Sequence, residues 1–332
     1  MLSTLEILLP VFGLIFAGFF CRRRNVLGPN SASELNRFVV WLALPALLFD
    51  IMAHATWHQL YQPGFAAAFS LGCVFVFGLT LIARLMSGRH LADASIDAIA
   101  AGYPNTGYIG FPLCLIAFGP ASQTPTTIAT ILVACVLFAF AIVLIEIGLQ
   151  TERAPHKLGL KVLKSLARNP LIVSPIAGAL FASIHVTMPQ SAETFLKLLG
   201  GAASPCALVS LGLFLAEKRG SAASKAADAG SPDTDDTPQS AHSARSALVL
   251  TGLKLIAQPA LTWWLAARVF GLSTALVDMA VVLAALPTGT GPFMLAEFYR
   301  REAHITSRTI LLSTLGSLVT LSLFLLYVRH GG

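Results

Sequence analysis

The chain has 332 residues, of which 55% are hydrophobic and only 11% charged, and its formal net charge is +6. Its mean hydropathy is +0.74, whereas soluble domains carry roughly a quarter charged residues, so water is excluded as the solvent for most of this chain. The basic balance does not call for nucleic acid, because Lys and Arg gather in the cytoplasmic loops of membrane proteins.

Lipid offers no hydrogen bonds, so a spanning backbone must satisfy itself in helices or in a closed barrel. Barrel strands alternate apolar and polar residues. The runs here are instead continuously apolar over about 20 residues, the length a helix needs to cross the hydrocarbon. Read in chain order, they predict spans near 5–21, 34–53, 64–86, 93–119, 125–149, 169–188, 194–216, 247–270, 273–299 and 306–328. The expected fold is an all-α polytopic membrane protein with ten transmembrane helices.

The first run has no basic stretch before it and Arg22, Arg23 and Arg24 after it. That is the reverse of a signal peptide, so it is read as the first span. The other Lys and Arg residues alternate with the spans. Arg84 and Arg89, the group from Arg153 to Arg168, the group from Lys218 to Arg245, and Arg300, Arg301 and Arg308 share the side of Arg22–Arg24. Arg37 and Lys254 lie near that side too, which leaves Lys197, Arg268 and Arg329 for the other. The positive-inside rule then makes the Arg22–Arg24 loop cytoplasmic and puts both termini outside, in an inner (plasma) membrane.

Three units are expected: residues 1–150 as a first five-helix repeat, 151–168 as a basic cytoplasmic connector, and 169–332 as a second five-helix repeat. Within the last, residues 217–245 are rich in Ala, Ser, Asp and Pro and lack large apolar side chains. Such a stretch cannot offset its ordering entropy by burial and is expected to be a disordered cytoplasmic loop. The five cysteines are scattered, mostly within apolar runs and without a CxxC pair. They read as packing residues, and neither a metal nor a cofactor is expected.

The two halves resemble each other. WLALPALL at 41–48 and AASPCALV at 202–209 both place an Ala two residues before a Pro. The fourth span reads AIAAGYPNTGYIGFPL from Ala98 and the ninth AVVLAALPTGTGPFML from Ala280. Pro104 and Pro112 with Gly107 and Gly110 interrupt the first. Pro287 and Pro292 with Gly289 and Gly291 interrupt the second. Five spans per repeat means that the second repeat enters from the opposite side, the inverted arrangement from which many transporters build two alternating faces.

Proline removes a helical hydrogen bond and glycine lowers the cost of unwinding, so both spans are expected to break and cross near the midplane. A break exposes free N–H groups and the positive dipole end of the second half-helix, which forms an anion site without Lys or Arg. Asn105, Thr106, Gly107 and Tyr108 follow the first proline; Thr288, Gly289 and Thr290 follow the second. These are the candidate substrate-binding residues, and their polar groups could either bind a carboxylate or hold the unwound backbone open. Pro104, Pro112, Pro287, Pro292, Gly110 and Gly291 are the candidate hinge positions.

Glu6, Asp50, Asp97, Glu146, Lys254, Asp278 and Glu297 all read as closer to span ends than to centres, most of them interfacial. Asp97 and Asp278 precede the breaks and are candidates for sensing a proton or sodium ion. No HExxH, GxSxG, P-loop or GxGxxG is present, so no enzyme reading gains support.

LALPALLF at 42–49, YPNTGYIGFPL at 103–113 and ALPTGTGPF at 285–293 make the chain resemble the auxin efflux carrier family over its whole length. The fourth-span motif is most similar to the bacterial malonate-transporter type. The resemblance implies a fold like that of sodium/proton antiporters and bile-acid symporters. There, a scaffold domain holds a transport domain with crossed, proline-broken helices, and homodimers are common. It implies Asn105, Pro112, Pro287 and Pro292 as crossover positions. It also implies small carboxylates such as malonate, malate or indole-acetate as substrates, moved by alternating access. Spans 1, 2, 6 and 7 would be the scaffold and spans 3–5 and 8–10 the moving part. The plant members' long loop after the fifth span is missing, and the longest loop here follows the seventh. The competing readings are a cation-coupled symporter or antiporter for another substrate, and a membrane-embedded enzyme or sensor.

Overall fold

The computed structural model describes residues 2–55, 61–150, 155–184, 186–229 and 238–331. Regular structure among the described residues is helical apart from one isolated antiparallel bridge. In chain order the helices are α1 (Leu2–Arg23), α2 (Ser31–Ala53), α3 (Pro63–Met86), α4 (Leu91–Gly102), α5 (Thr106–Phe118), α6 (Pro120–Leu149), α7 (Pro155–Leu166), α8 (Pro170–Ser183), α9 (Gln190–Gly201), α10 (Ala203–Ala229), α11 (Ser243–Val269), α12 (Thr274–Ala285), α13 (Gly291–Phe298) and α14 (Ala303–Gly331). Among the described residues six helical stretches are long and apolar enough to cross a membrane: α2, α3, α6, Gln190–Ala216, α11 and Ala303–Leu326. Shorter apolar helices are α5, α8 and α12. The chain is therefore an all-helical, polytopic membrane protein.

Proline shapes several of these helices from within. Residues Val39–Ala43, Thr106–Gly110 and Leu253–Ala257 are wide π-turns, and each ends two residues before a proline: Pro45, Pro112 and Pro259. A proline ring inside a helix crowds the carbonyl four residues back and donates no bond to it. Widening the preceding turn accommodates both defects without ending the helix. The π-turn in α5 continues directly from the break that precedes it.

The expected connector at 151–168 contains the amphipathic helix α7. Its Ser165 hydroxyl donates to Glu146 at 2.7 Å on the end of α6. Residues 151–154 lie outside the described residues. Helix also enters the 217–245 stretch from both sides, through α10 to Ala229 and from Pro238 onward. The alanines at 222, 223, 226, 227 and 229 favour it. Residues 230–237 lie outside the described residues.

The helices sort into two packing groups. In one, α1 lies along α10, and α2 packs on α8, α9 and α10. In the other, α3 packs on α4 and α11, α4 on α6, and α11 on α12, while α14 runs along the helix that leads into α11. Two glycines set the first group. A Cβ on Gly18 would sit 2.1 Å from the Val209 carbonyl oxygen, and one on Gly212 would sit 2.0 Å from that of Ile15. The two backbones thus touch reciprocally, as small residues permit within lipid.

The second group exposes Phe75, Leu79 and Ile82 of α3 and Leu315, Val319 and Leu323 of α14. Large apolar side chains on the outside are what a lipid-facing surface requires. Gly18→Ala drives a methyl group into backbone that cannot yield and should destabilise the protein by at least about 1 kcal/mol. Gly13→Ala, with nothing within 4 Å, is the matched control, and thermal melting of the purified protein distinguishes the two.

Candidate functional site at the crossing of two broken helices

The fourth apolar run is broken between α4 and α5, and the ninth between α12 and α13. The two gaps meet. Pro104 pairs with Thr288 in the isolated antiparallel bridge. The Asn105 N–H donates to the Pro287 carbonyl at 2.9 Å, and the Gly289 N–H donates to the Tyr103 carbonyl at 3.0 Å. Pro104 and Thr288 are thus the non-hydrogen-bonded pair between two ladder bonds. At such a position a proline's missing N–H costs nothing. The Thr288 N–H points away from the bridge and donates to the Ser313 hydroxyl of α14 at 3.1 Å.

Asn105 turns the chain into α5. Its φ of −79° and ψ of 61°, with the Thr106 N–H donating to the Pro104 carbonyl at 2.9 Å, define an inverse γ-turn. Its own carbonyl accepts from the N–H groups of Ile109 and Gly110, both at 3.1 Å. The side chain makes no capping bond to α5. Asn105 and Thr106 are buried, Tyr108 half-buried and Gly107 exposed. On the other strand of the bridge Thr288 is buried, and its hydroxyl donates to the Ala100 carbonyl of α4 at 2.9 Å. Thr290 is half-buried and accepts the Met294 N–H at 3.1 Å on its carbonyl at the start of α13.

Of the candidate hinges, Pro104 and Pro287 lie in the bridge itself. Pro292 stands in the first turn of α13, where no N–H would be used. Pro112 follows the α5 π-turn and is exposed, and Gly110 is buried close to Leu283 and Leu286 of the other break. Gly289 and Gly291 form a slot for Tyr103, a residue that the sequence alone does not single out. A Cβ on Gly289 would lie 2.8 Å from the ring and one on Gly291 3.0 Å from it. The ring also packs on Phe138, with centroids 5.8 Å apart.

Two α11 residues serve the other side of the crossing. Lys254, expected near a span end, is fully buried, and its Nζ donates to the Ala284 carbonyl in the last turn of α12 at 2.6 Å. One turn further, the buried Gln258 Nε2 donates to the Gly102 carbonyl at the end of α4 at 3.4 Å and to the Cys73 sulfur at 3.1 Å. The hint in the sequence is a Lys and a Gln four residues apart inside an apolar run.

Asp97 lies within the packed helices near the last turn of α3. It is fully buried and in ionic contact with Arg84 at 2.8 Å, although neither carboxylate oxygen has a well-aligned hydrogen bond. Next to it, Arg301 grips Asp93 through two bonds of 2.6 and 3.0 Å, and Arg89 pairs with Glu302. Burial raises the Glu302 carboxyl above its ordinary range, and Arg89 opposes the shift. Glu146 is buried too and accepts from Tyr299 at 2.7 Å. Asp278 is half-buried near the start of α12. Among the described residues no three His, Cys, Asp or Glu side chains gather into a metal-binding group.

A polytopic helical protein with two broken helices joined at their gaps belongs to the class of membrane transport proteins. More specifically, this chain belongs to the membrane transport protein (auxin efflux carrier) family, whose sequence profile matches residues 3–325. A Rhizobium meliloti protein named "Putative malonate transporter" is 28% identical over 98% of this chain and 96% of its own. The Escherichia coli K12 "Uncharacterized transporter YfdV" is 24% identical over 97% and 96% respectively. The rice "Auxin efflux carrier component 3a" is 30% identical over 50% of this chain and 24% of its own length. The family and these relatives are transporters, not enzymes.

Gly289→Ala should cost about 1–3 kcal/mol by forcing Tyr103 out of its slot. Combining it with Tyr103→Leu should recover part of that loss, because the two sites touch. Melting temperatures of the two single variants and the double variant measure the coupling.

Proposed function

We propose that this protein is a secondary transporter that carries a small carboxylate across the inner membrane by alternating access. The observation that carries the reading is the meeting of α5 and α13, whose first turns both lie within three residues of the bridge. The first N–H groups of a helix have no intrahelical partner, and its dipole puts a partial positive charge there. Two such ends beside one point are a site for an anion that needs no Lys or Arg head. Asn105, with its side chain uncommitted to capping, is the residue placed to donate to a carboxylate. Thr106, Gly107, Tyr108, Gly289 and Thr290 line the same turns. The Thr288 hydroxyl already serves the Ala100 carbonyl, so its part is to hold the break open.

The name of the Rhizobium relative points to malonate as the first substrate to try. Ten crossings follow if the six long spans are joined by α1, by α8 and by the two broken pairs α4–α5 and α12–α13, in two inverted sets of five. The positive-inside reading then places the Arg84–Arg89 and Arg300–Arg301 loops in the cytoplasm and both termini outside. The moving part is the packing group that contains the crossing, and the α1–α2–α8–α9–α10 group is the scaffold.

Labelled malonate flux into proteoliposomes, with malate and indole-acetate as competitors, tests this. Saturable flux is expected, and Asn105→Ala should lower it tenfold or more, since a hydrogen bond to a charged group contributes about 1.5–3 kcal/mol. Normal flux through correctly inserted Asn105→Ala protein removes Asn105 from the site, and absence of flux for every carboxylate tried removes the substrate class.

A further inference from the structure

The connector helix α7 presents a surface that the crossing does not use. α6 is long and apolar enough to span a membrane, and it ends at Leu149. Glu146 stands three residues before that end, about 4.5 Å along the axis. The Ser165 hydroxyl of α7 donates to the Glu146 carboxylate at 2.7 Å. At its other end α7 is separated from α8 by Ala167, Arg168 and Asn169 alone. The Asn169 side chain caps α8 by accepting the Leu171 N–H at 3.0 Å. α7 is thereby held at the level where one apolar helix ends and the next begins.

Three strips run along α7. Val162 is buried against the protein, and Ser165 and Leu166 are half-buried beside it. Leu160 and Leu163 are 69% and 62% exposed. Lys157, Lys161, Lys164 and Arg168 recur at steps of four, three and four, the spacing of one helical face. The last three of them are exposed. No Asp or Glu occurs from Arg153 to Ala192, so this stretch of chain brings no acidic partner of its own.

We propose that α7 is an in-plane helix that binds anionic phospholipid headgroups. Leu160 and Leu163 enter the boundary between headgroups and acyl chains, and Lys161, Lys164 and Arg168 take the lipid phosphates. A polyanion in solution would match the cations and leave both leucines in water. A bilayer surface at the depth of the α6 terminus covers the leucines and supplies the opposite charge together. The site stands apart from the carrier reading, because lipid binds there whatever anion is carried. It reaches the crossing by one route. Glu146 also accepts from the hydroxyl of Tyr299, the residue that ends α13, at 2.7 Å. The carboxylate that anchors the lipid-binding helix therefore also holds the end of a half-helix that leaves the crossing.

The full chain is melted at low ionic strength in two kinds of nanodisc, phosphatidylcholine alone and phosphatidylcholine mixed with phosphatidylglycerol. Phosphatidylglycerol should raise the melting temperature of wild type by about 2 °C or more, as a ligand bound by the folded state does. High salt should shrink that gain. Lys161→Gln, Lys164→Gln and Arg168→Gln combined should lose most of it. Arg22→Gln, Arg23→Gln and Arg24→Gln combined remove as many charges from another loop and should keep it. Depth is read separately, in discs whose lipid is brominated at the top of its acyl chains. There Leu163→Trp should lose more fluorescence than wild type with its four native tryptophans.

The proposal is overturned if phosphatidylglycerol does not raise wild type, if it raises the α7 variant as much, or if the Arg22–Arg24 variant loses the gain equally. It is also overturned if Leu163→Trp adds no quenching, which would leave the face to a soluble partner. Should the α7 variant not fold, the quenching of Leu163→Trp decides alone.

Discussion

Everything in this fold hangs on where the backbone polar groups of two interrupted helices go. In hydrocarbon an unsatisfied N–H or C=O costs several kcal/mol, and two breaks at mid-span release a set of each. The chain answers with a two-bond antiparallel bridge, Asn105 to Pro287 and Gly289 to Tyr103. Side chains around the bridge satisfy further groups. Ser313 takes the Thr288 N–H, the Thr288 hydroxyl serves Ala100, Lys254 serves Ala284 and Gln258 serves Gly102. The prolines fit this accounting. Pro104 stands where the bridge asks for no donor, and Pro292 where a first helical turn asks for none.

That accounting also separates charge. The bridge forces both half-helix C-terminal ends and both N-terminal ends into one small region, so two partial positive and two partial negative ends meet at a single point. α11 donates to carbonyls of the two negative ends from within the protein, through Lys254 and Gln258. Among the described residues the bridge itself carries no Asp or Glu, and Asp97, five residues before the end of α4, is engaged with Arg84. The two sides of the crossing are therefore unlike, and the carboxylate reading proposed above rests on the positive one.

Part of this is legible in the sequence. Paired Pro and Gly residues in the fourth and ninth apolar runs point to interruption, and the structure has breaks in both, at 103–105 and at 286–290. The family is readable from the same motifs. The register of the bridge is not, because it depends on which of several extended residues face one another. Tyr103 escapes notice because its role is defined by Gly289 and Gly291, more than 180 positions away. Distance to span ends does not reveal that Lys254, Asp97 and Glu146 are buried. That measure counts residues along one helix and cannot see a neighbouring helix end, a buried arginine or a tyrosine hydroxyl. The π-turns before Pro45, Pro112 and Pro259 are equally out of reach, since proline alone does not say whether a helix will end, kink or widen.

The two packing groups are held together by bonds of different kinds. Inside the group that holds the crossing, the links are directional: the bridge, the capping bonds to Ala100, Ala284 and Gly102, and the Arg301–Asp93 pair. Breaking any of them would leave a buried polar group without its partner, and this network ties the group together. Between the groups, contacts among the described residues include aromatic pairs and one long amide bond. Phe214 of α10 lies edge-on to Phe293 and against His304, Trp41 of α2 packs on Phe298, and the Asn36 amide reaches the Met294 carbonyl at a long 3.5 Å. Apolar contacts are non-directional and individually weak. The Gly18–Gly212 contact fixes the opposite partner, because backbone touching backbone leaves α1 and α10 no room to shear. A hydrogen-bonded crossing beside a closely packed helix pair, with aromatic contacts and one long amide bond between them, is the arrangement on which the proposed alternating-access reading rests.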